Sequence, residues 1–330
     1  MKLCGTDMKE TKTLKYLGDF LSSNLEDSVH QTVLRRVGVI KQTILDIRRV
    51  TKDTKADSAG TVDTAFTIWT HAIQPKLIHN SETWVGILKK IIKILDDIFI
   101  YFSRIIWRTS SGSPIPNFFW ITGCYRMTNI ILQKKLEYYH HLANLESDSL
   151  GGVFFDIQAE NDLDGPNLKK EVDEHIRVIG FSDLRSITKW AWKRKVKQYI
   201  HQKQKAELIK EAKRYKKLNT DKMSQDSYER KSFLSALKLE DARMLYKVPS
   251  KVVPTVRSHF LRRYGSTSLS CPGCSSESDQ SQCRDSSTHI LLHCDAYADL
   301  MDKDLDPDND IMLAQFFRSV VERKLDSGDG

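Results

Sequence analysis

The stretch Ile91–Trp107 reads IIKILDDIFIYFSRIIW and is the most apolar run in a chain of 330 residues. Lys93, Asp96, Asp97 and Arg104 interrupt it, whereas a bilayer span needs about 20 largely uncharged residues. The run therefore predicts a buried helix and no membrane span. The same helical spacing recurs upstream, where Val29, Val33, Val37, Ile40, Ile44 and Ile47 follow at intervals of three and four. Ser22, Ser23 and Asn24 are candidate caps for that helix.

Further helices are expected at Asp63–Ile73, ending near Pro75, at about Glu82–Trp107 and at Thr128–Leu145. A long, exposed, lysine-rich helix is expected from Trp190 to Leu218, touching the core through Trp190, Val196, Ile200, Leu208 and Ile209. Another is expected at Tyr228–Tyr246, and IMLAQFFRSVVERK (Ile311–Lys324) reads as a short terminal helix. LKYLGDFL (Leu14–Leu21) suits a strand or hairpin. SSGSPIPN (Ser110–Asn117) reads as a turn, and Gly151–Gly152 and DLDGPN (Asp162–Asn167) punctuate the stretch that follows. The fold class expected is mostly α.

Composition is that of an ordered globular chain, at 40% hydrophobic and 28% charged residues. The net charge of +8 hides an asymmetry. Arg185–Arg263 carries +16, Cys271 to the end carries −8, and the first 184 residues balance. A basic middle of that size suits phosphate, because each neutralised phosphate releases counterions.

Four of the six cysteines fall within CPGCSSESDQSQCRDSSTHILLHC (Cys271–Cys294), a pattern of metal binding in a reducing, intracellular setting. Cys271 and Cys274 have the spacing at which one tight turn presents two sulfurs, and Pro272-Gly273 suits that turn. His289 and Cys294 follow at a spacing that brings both to one metal. Cys271, Cys274, His289 and Cys294 make a tetrahedral Cys3His set for a structural zinc, with Cys283 and His293 as alternates. Four protein ligands leave no open position, so this zinc organises structure and does no chemistry.

The order of segments resembles the C-terminal region of LINE-type (non-LTR) retrotransposon reverse transcriptases. KYLG (Lys15–Gly18) is similar to their primer-grip hairpin. AIQPKLIHNSETW (Ala72–Trp84), SPIPNFFWITG (Ser113–Gly123) and NIILQKKLEYYHHL (Asn129–Leu142) resemble their thumb. DARMLYKVPSKVVPTVRSHFLRRYG (Asp241–Gly265), then CPGC and THILLHC, resemble the approach to their terminal zinc knuckle.

The resemblance implies five parts: 1–23 a remnant of the palm and primer-grip hairpin, 24–150 a helical thumb-like domain, and 151–255 a basic helical linker. A small zinc-knuckle lobe at 256–298 and an acidic loop with terminal helix at 299–330 complete the set. The family's activity is RNA-directed DNA polymerisation, which clamps two metal ions with palm carboxylates. Fourteen residues precede KYLG, so the catalytic Asp residues are expected to be absent and the chain not to be catalytic by itself. Leu95-Asp96-Asp97 lies downstream of the primer-grip segment, out of the family's order, and reads as helix surface. Pro307-Asp308 with Glu322-Arg323-Lys324 fits a loose nuclease pattern by chance.

The function implied is binding of RNA or of a template–primer duplex. Trp190, Trp192, Tyr199 and Tyr215 are interleaved with Lys193, Arg194, Lys195, Lys197, Lys213, Arg214, Lys216 and Lys217. Aromatics beside cations stack on bases while the cations neutralise the backbone. At most one of Trp190 and Trp192 is core, and the binding set takes Trp192 with those eight cations. Arg257, His259, Arg262 and Arg263 are expected to be turned toward RNA by the knuckle. Two alternatives stay open: part of an active polymerase whose palm lies upstream, and a zinc-stapled protein-interaction module that binds no nucleic acid.

Overall fold

A computed structural model describes the backbone at residues 2–3, 6–7, 13–16, 19–22, 25–53, 60–87, 89–109, 112–160, 167–181, 183–215 and 220–239, with 218, 242, 243, 246 and 319. Among these residues the protein is mostly α-helical. Two short hairpins come first, β1 (Lys2–Leu3) with β2 (Thr6–Asp7), and β3 (Thr13–Tyr16) with β4 (Asp19–Ser22). The second pair is antiparallel, with Thr13 opposite Ser22 and Tyr16 opposite Asp19. The strand-or-hairpin expected around LKYLGDFL is thus a hairpin.

Helices α1 (Leu25–Asp53), α2 (Thr61–Ile68), α3 (Gln74–Leu77), α4 (Lys89–Trp107), α5 (Ile115–Thr122) and α6 (Met127–Ala143) follow. Then come α7 (Leu150–Glu160), α8 (Leu168–Ile179), α9 (Lys189–Ala212), α10 (Thr220–Gln225) and α11 (Phe233–Ala236). Among the described residues no helix is long and apolar enough to cross a membrane.

Several boundaries differ from the sequence expectation. The helix expected to end near Pro75 continues through a π-helical turn, Trp69–Ile73, into α3. Proline lacks an N–H and its ring collides with the carbonyl four residues back. The wider turn, closed by the Gln74 N–H donating to the Trp69 carbonyl, accommodates the ring at the start of α3. SSGSPIPN holds a helix start: Pro114 is the N-cap of α5 and Pro116 lies in its first turn, where a missing donor costs nothing.

Gly151 and Gly152, expected to punctuate the chain, lie inside the first turn of α7. A Cβ on Gly152 would stand 2.1 Å from the Glu146 carbonyl oxygen, so only glycine lets this first turn close over the preceding bend. Ser149 caps the helix, its Oγ accepting the Gly152 N–H at 3.0 Å. The single helix expected at Tyr228–Tyr246 is broken up. The Lys231 N–H donates to the Ile121 carbonyl at 3.1 Å, a partner outside its own segment, so the described residues before α11 are not helical from Tyr228 on, whereas Leu239, Ala242, Arg243 and Tyr246 beyond it are helical.

The chain divides into two compact units, each built from several segments. The first comprises Met1–Ile47, Ile68–Phe102 and Cys124–Glu207. Val29, Val33, Val37, Ile40 and Ile44 of α1 are buried as their spacing predicts, and Ile47 is half-buried. Trp69 packs on Phe99 and Phe102, both with ring centroids 5.1 Å away. A second cluster joins Leu132, Leu136, Tyr139 and Leu142 of α6 with Leu168, Val172 and Ile176 of α8 and Trp192, Val196 and Ile200 of α9. Beside it the buried Lys135 ammonium pairs with Glu171, whose other oxygen accepts the Gly86 N–H at 2.6 Å. A buried charge needs such pairing to offset its desolvation.

The second unit comprises Arg48–Thr67, Ser103–Gly123 and Leu208–Gly330. Its core stacks Trp107 and Phe118 on Tyr246, and Phe66 meets Trp107 at a tilt. Buried Arg243 donates through Nε to the Ile106 carbonyl at 2.7 Å. Arg230 gives one guanidinium nitrogen to Asp63 and Thr67, each at 3.0 Å.

Candidate nucleic-acid interface

Helix α9 carries most of the described candidate residues. It holds neither glycine nor proline, and its lysines, glutamines and glutamates lose little rotamer freedom in a helix. Thr188 stands before it and accepts the Trp192 N–H through its carbonyl at 2.9 Å. The helix closes at Ala212, short of the expected Leu218. Arg214 and Tyr215 donate to Glu211 and Ala212 in i−3 bonds, which tighten the last turn and end it.

The buried residues of α9 are Trp192, Val196, Ile200, Gln204, Leu208 and Ala212, one every four positions. Trp192 anchors this ladder and is fully buried. Its indole N–H donates to the Leu136 carbonyl of α6 at 3.0 Å. The His140 imidazole lies nearly parallel to the indole, 5.5 Å between centroids, and Phe181 meets it edge-on at 6.1 Å. Trp192 is therefore core and cannot receive a base, which corrects its place in the binding set. Trp190, expected to touch the core, is the exposed one at 70%.

With that phase set, Lys189, Lys193 and Lys197 are all exposed, four residues apart, and form one row along the helix. Trp190 and Arg194 form the next row, the guanidinium 4.8 Å from the indole centroid. Lys195 is exposed on another side, and Lys213 and Arg214 are exposed just past the helix end. Lys193 lies 3.8 Å from Glu137, a solvent-facing pair that contributes little.

A cleft of about 320 Å³ lies where the last turns of α6 meet the first turn of α9. Arg185, Lys189 and Lys193 line it together with His141, Asn144 and Glu137. Arg185 is braced there, donating to the Ala143 carbonyl at 2.9 Å and to Asp156 at 3.1 Å. The positive end of the α9 dipole adds to the field of these cations. Lys189, Trp190 and Arg185 are the members that sequence reasoning left out of the set. Extending the four-residue ladder back from Val196 lands on Trp192, a phase that turns Lys189 and Trp190 outward, whereas Arg185 stands in the turn before the helix and carried no such signal.

Other polar groups of the same unit serve the fold. Tyr199 is half-buried, its hydroxyl 2.7 Å from Nδ1 of His175. Burial raises the Tyr199 phenol and lowers the His175 imidazole from their usual pKa values. Burial and the Asp173 carboxylate push Tyr139 up to about 12. These phenols stay neutral at neutral pH. Asp96, only 9% exposed, accepts the Met127 N–H at 2.9 Å and faces Arg126 at 3.7 Å, so it caps α6. Asp97 is exposed, so the pair does not converge as a metal clamp.

Among the described residues no group of three His, Cys, Asp or Glu side chains is placed to hold a metal ion. Cys271, Cys274, Cys283, His289, His293 and Cys294 lie outside the described residues, as do Lys216, Lys217, Arg257, His259, Arg262 and Arg263. No family model, curated protein or solved structure matches this chain.

Proposed function

We propose that the chain binds nucleic acid, as an RNA- or template–primer-binding fragment of a non-LTR retrotransposon reverse transcriptase that is not catalytic by itself. In this reading the region to about residue 150 is thumb-like, the basic segment tracks phosphates, and a structural zinc on Cys271, Cys274, His289 and Cys294 folds a terminal lobe. The observation that carries it is the row of Lys189, Lys193 and Lys197, exposed along one side of α9. Their helix is held in phase by the buried Trp192 ladder. A rigid row of cations neutralises successive phosphates without first having to be ordered.

Binding of the full chain to an RNA hairpin and to a primer–template duplex, followed by fluorescence anisotropy across a salt series, tests the reading. Replacing the three lysines by alanine should weaken binding to both and reduce the salt slope by about two to three. Wild-type binding that is absent, or that ignores salt, overturns it and favours a zinc-stapled protein-interaction module.

A further inference from the structure

We infer that Trp190 and Arg194 form a stacking platform for an unpaired base, so that this surface selects single-stranded RNA or DNA over duplex. The inference rests on the nucleic-acid reading above and deepens it. Trp190 keeps 70% of its surface in water, although Trp192 two residues on is fully buried. A large flat apolar side chain left in solvent on an otherwise cationic face is an unmet hydrophobic surface.

The Arg194 guanidinium sits 4.8 Å from the indole centroid, one helical turn on. That contact steadies the ring, so less side-chain freedom is lost when a base arrives. A base stacks on indole whatever its identity, and the neighbouring row of Lys189, Lys193 and Lys197 is placed for its backbone.

Duplex and single strand use this surface differently. In a duplex the base faces are covered by one another, so only the lysine row is engaged. A surface that was merely cationic would favour the duplex, whose charge density is higher and whose counterion release is larger. Selection for the single strand is therefore the mark of the platform, and it belongs to Trp190 rather than to the lysines.

The experiment compares full-length wild type, Trp190→Ala, Trp190→Phe and the triple lysine-to-alanine variant. Probes are a labelled single-stranded RNA, the matching single-stranded DNA and the blunt duplex of the same sequence. Trp190→Ala should lose about five- to a hundredfold in affinity for the single strands and leave duplex affinity unchanged. Trp190→Phe should retain most of the single-strand affinity, and the two strand chemistries report whether ribose matters. If Trp190→Ala lowers all probes alike, or changes none, the platform is overturned. If the triple variant also binds as wild type does, the lysine row of α9 fails as the interface too, whereas wild type that binds none of the probes overturns the nucleic-acid reading itself. A loss confined to the triple variant leaves the lysine row standing alone and sinks only the platform.

Discussion

The indole N–H of Trp192 donates to the carbonyl of Leu136 at 3.0 Å, tying the first turns of α9 to the middle of α6. The Leu136 carbonyl stands in a helix already, so the bond adds a second use of an existing acceptor. Its consequence is rotational. A helix pinned at one point and buried every fourth residue cannot roll, so every exposed cation on α9 has a set direction.

Trp192→Ala should cost about 3–5 kcal/mol, the usual range for removing a fully buried aromatic. Trp190→Ala, two residues away and exposed, should lie within about 0.5 kcal/mol of wild type. Urea denaturation followed by circular dichroism measures both. Similar costs for the two would contradict the phase of α9.

Two glycine substitutions should have opposite signs. Gly152→Ala puts a Cβ 2.1 Å from the Glu146 carbonyl oxygen and should destabilise by about 1–3 kcal/mol through a backbone shift. Gly38 lies within α1 with nothing within 4 Å of its added Cβ. Gly38→Ala should stabilise by about 0.5–1 kcal/mol, since glycine is a poor helix former. Thermal melts of the two single variants decide it.

Stability should fall as pH drops below 6.5, in part through His175. Burial first, and the Lys203 ammonium second, lower this imidazole from its ordinary 6.5, against the opposing carboxylates of Glu174 and Glu207. Between 6.5 and the lower folded value the unfolded chain binds the extra proton, so protonation favours unfolding. Above 6.5 the contribution is complete, and below the folded value no more is lost. His175→Gln should flatten that part of a plot of denaturation midpoint against pH. An unchanged profile would place the titration elsewhere.

One zinc ion per chain is the expected metal content of purified protein, by mass spectrometry of the metal. Cys271→Ser and Cys294→Ser should each lose it. Cys283→Ser should retain it if Cys271, Cys274, His289 and Cys294 are the ligands. Chelation should leave the helical signal of α1 to α9 intact while removing the metal. A metal content that survives Cys271→Ser would overturn this ligand set.

Much of the fold was legible. Apolar spacing placed α1 with five of its six expected core positions buried, and it read Ile91–Trp107 as an interrupted, buried helix. It did so because local periodicity is enough to define a face. Breaks set by distant partners were not legible. The Lys231 N–H finds the Ile121 carbonyl, and no pattern within 228–246 announces that bond. Pro75 looked like a stop because a π turn depends on packing around Trp69 rather than on the proline itself.

The candidate interface divides the same way. Amino-acid order alone determined that the protein is mostly helical and that its positive charge gathers between residues 185 and 263. It also gathers four of the six cysteines between residues 271 and 294. Tertiary structure decided which tryptophan of Trp190 and Trp192 is core: the four-residue spacing to Val196 favours Trp192, but only a packed partner fixes the phase of the helix. The Leu136 carbonyl and the His140 ring meet Trp192, and that contact leaves Trp190 with the lysine row in water. Charge and spacing are properties of the chain, whereas the direction a side chain faces is settled only by what packs against its neighbours.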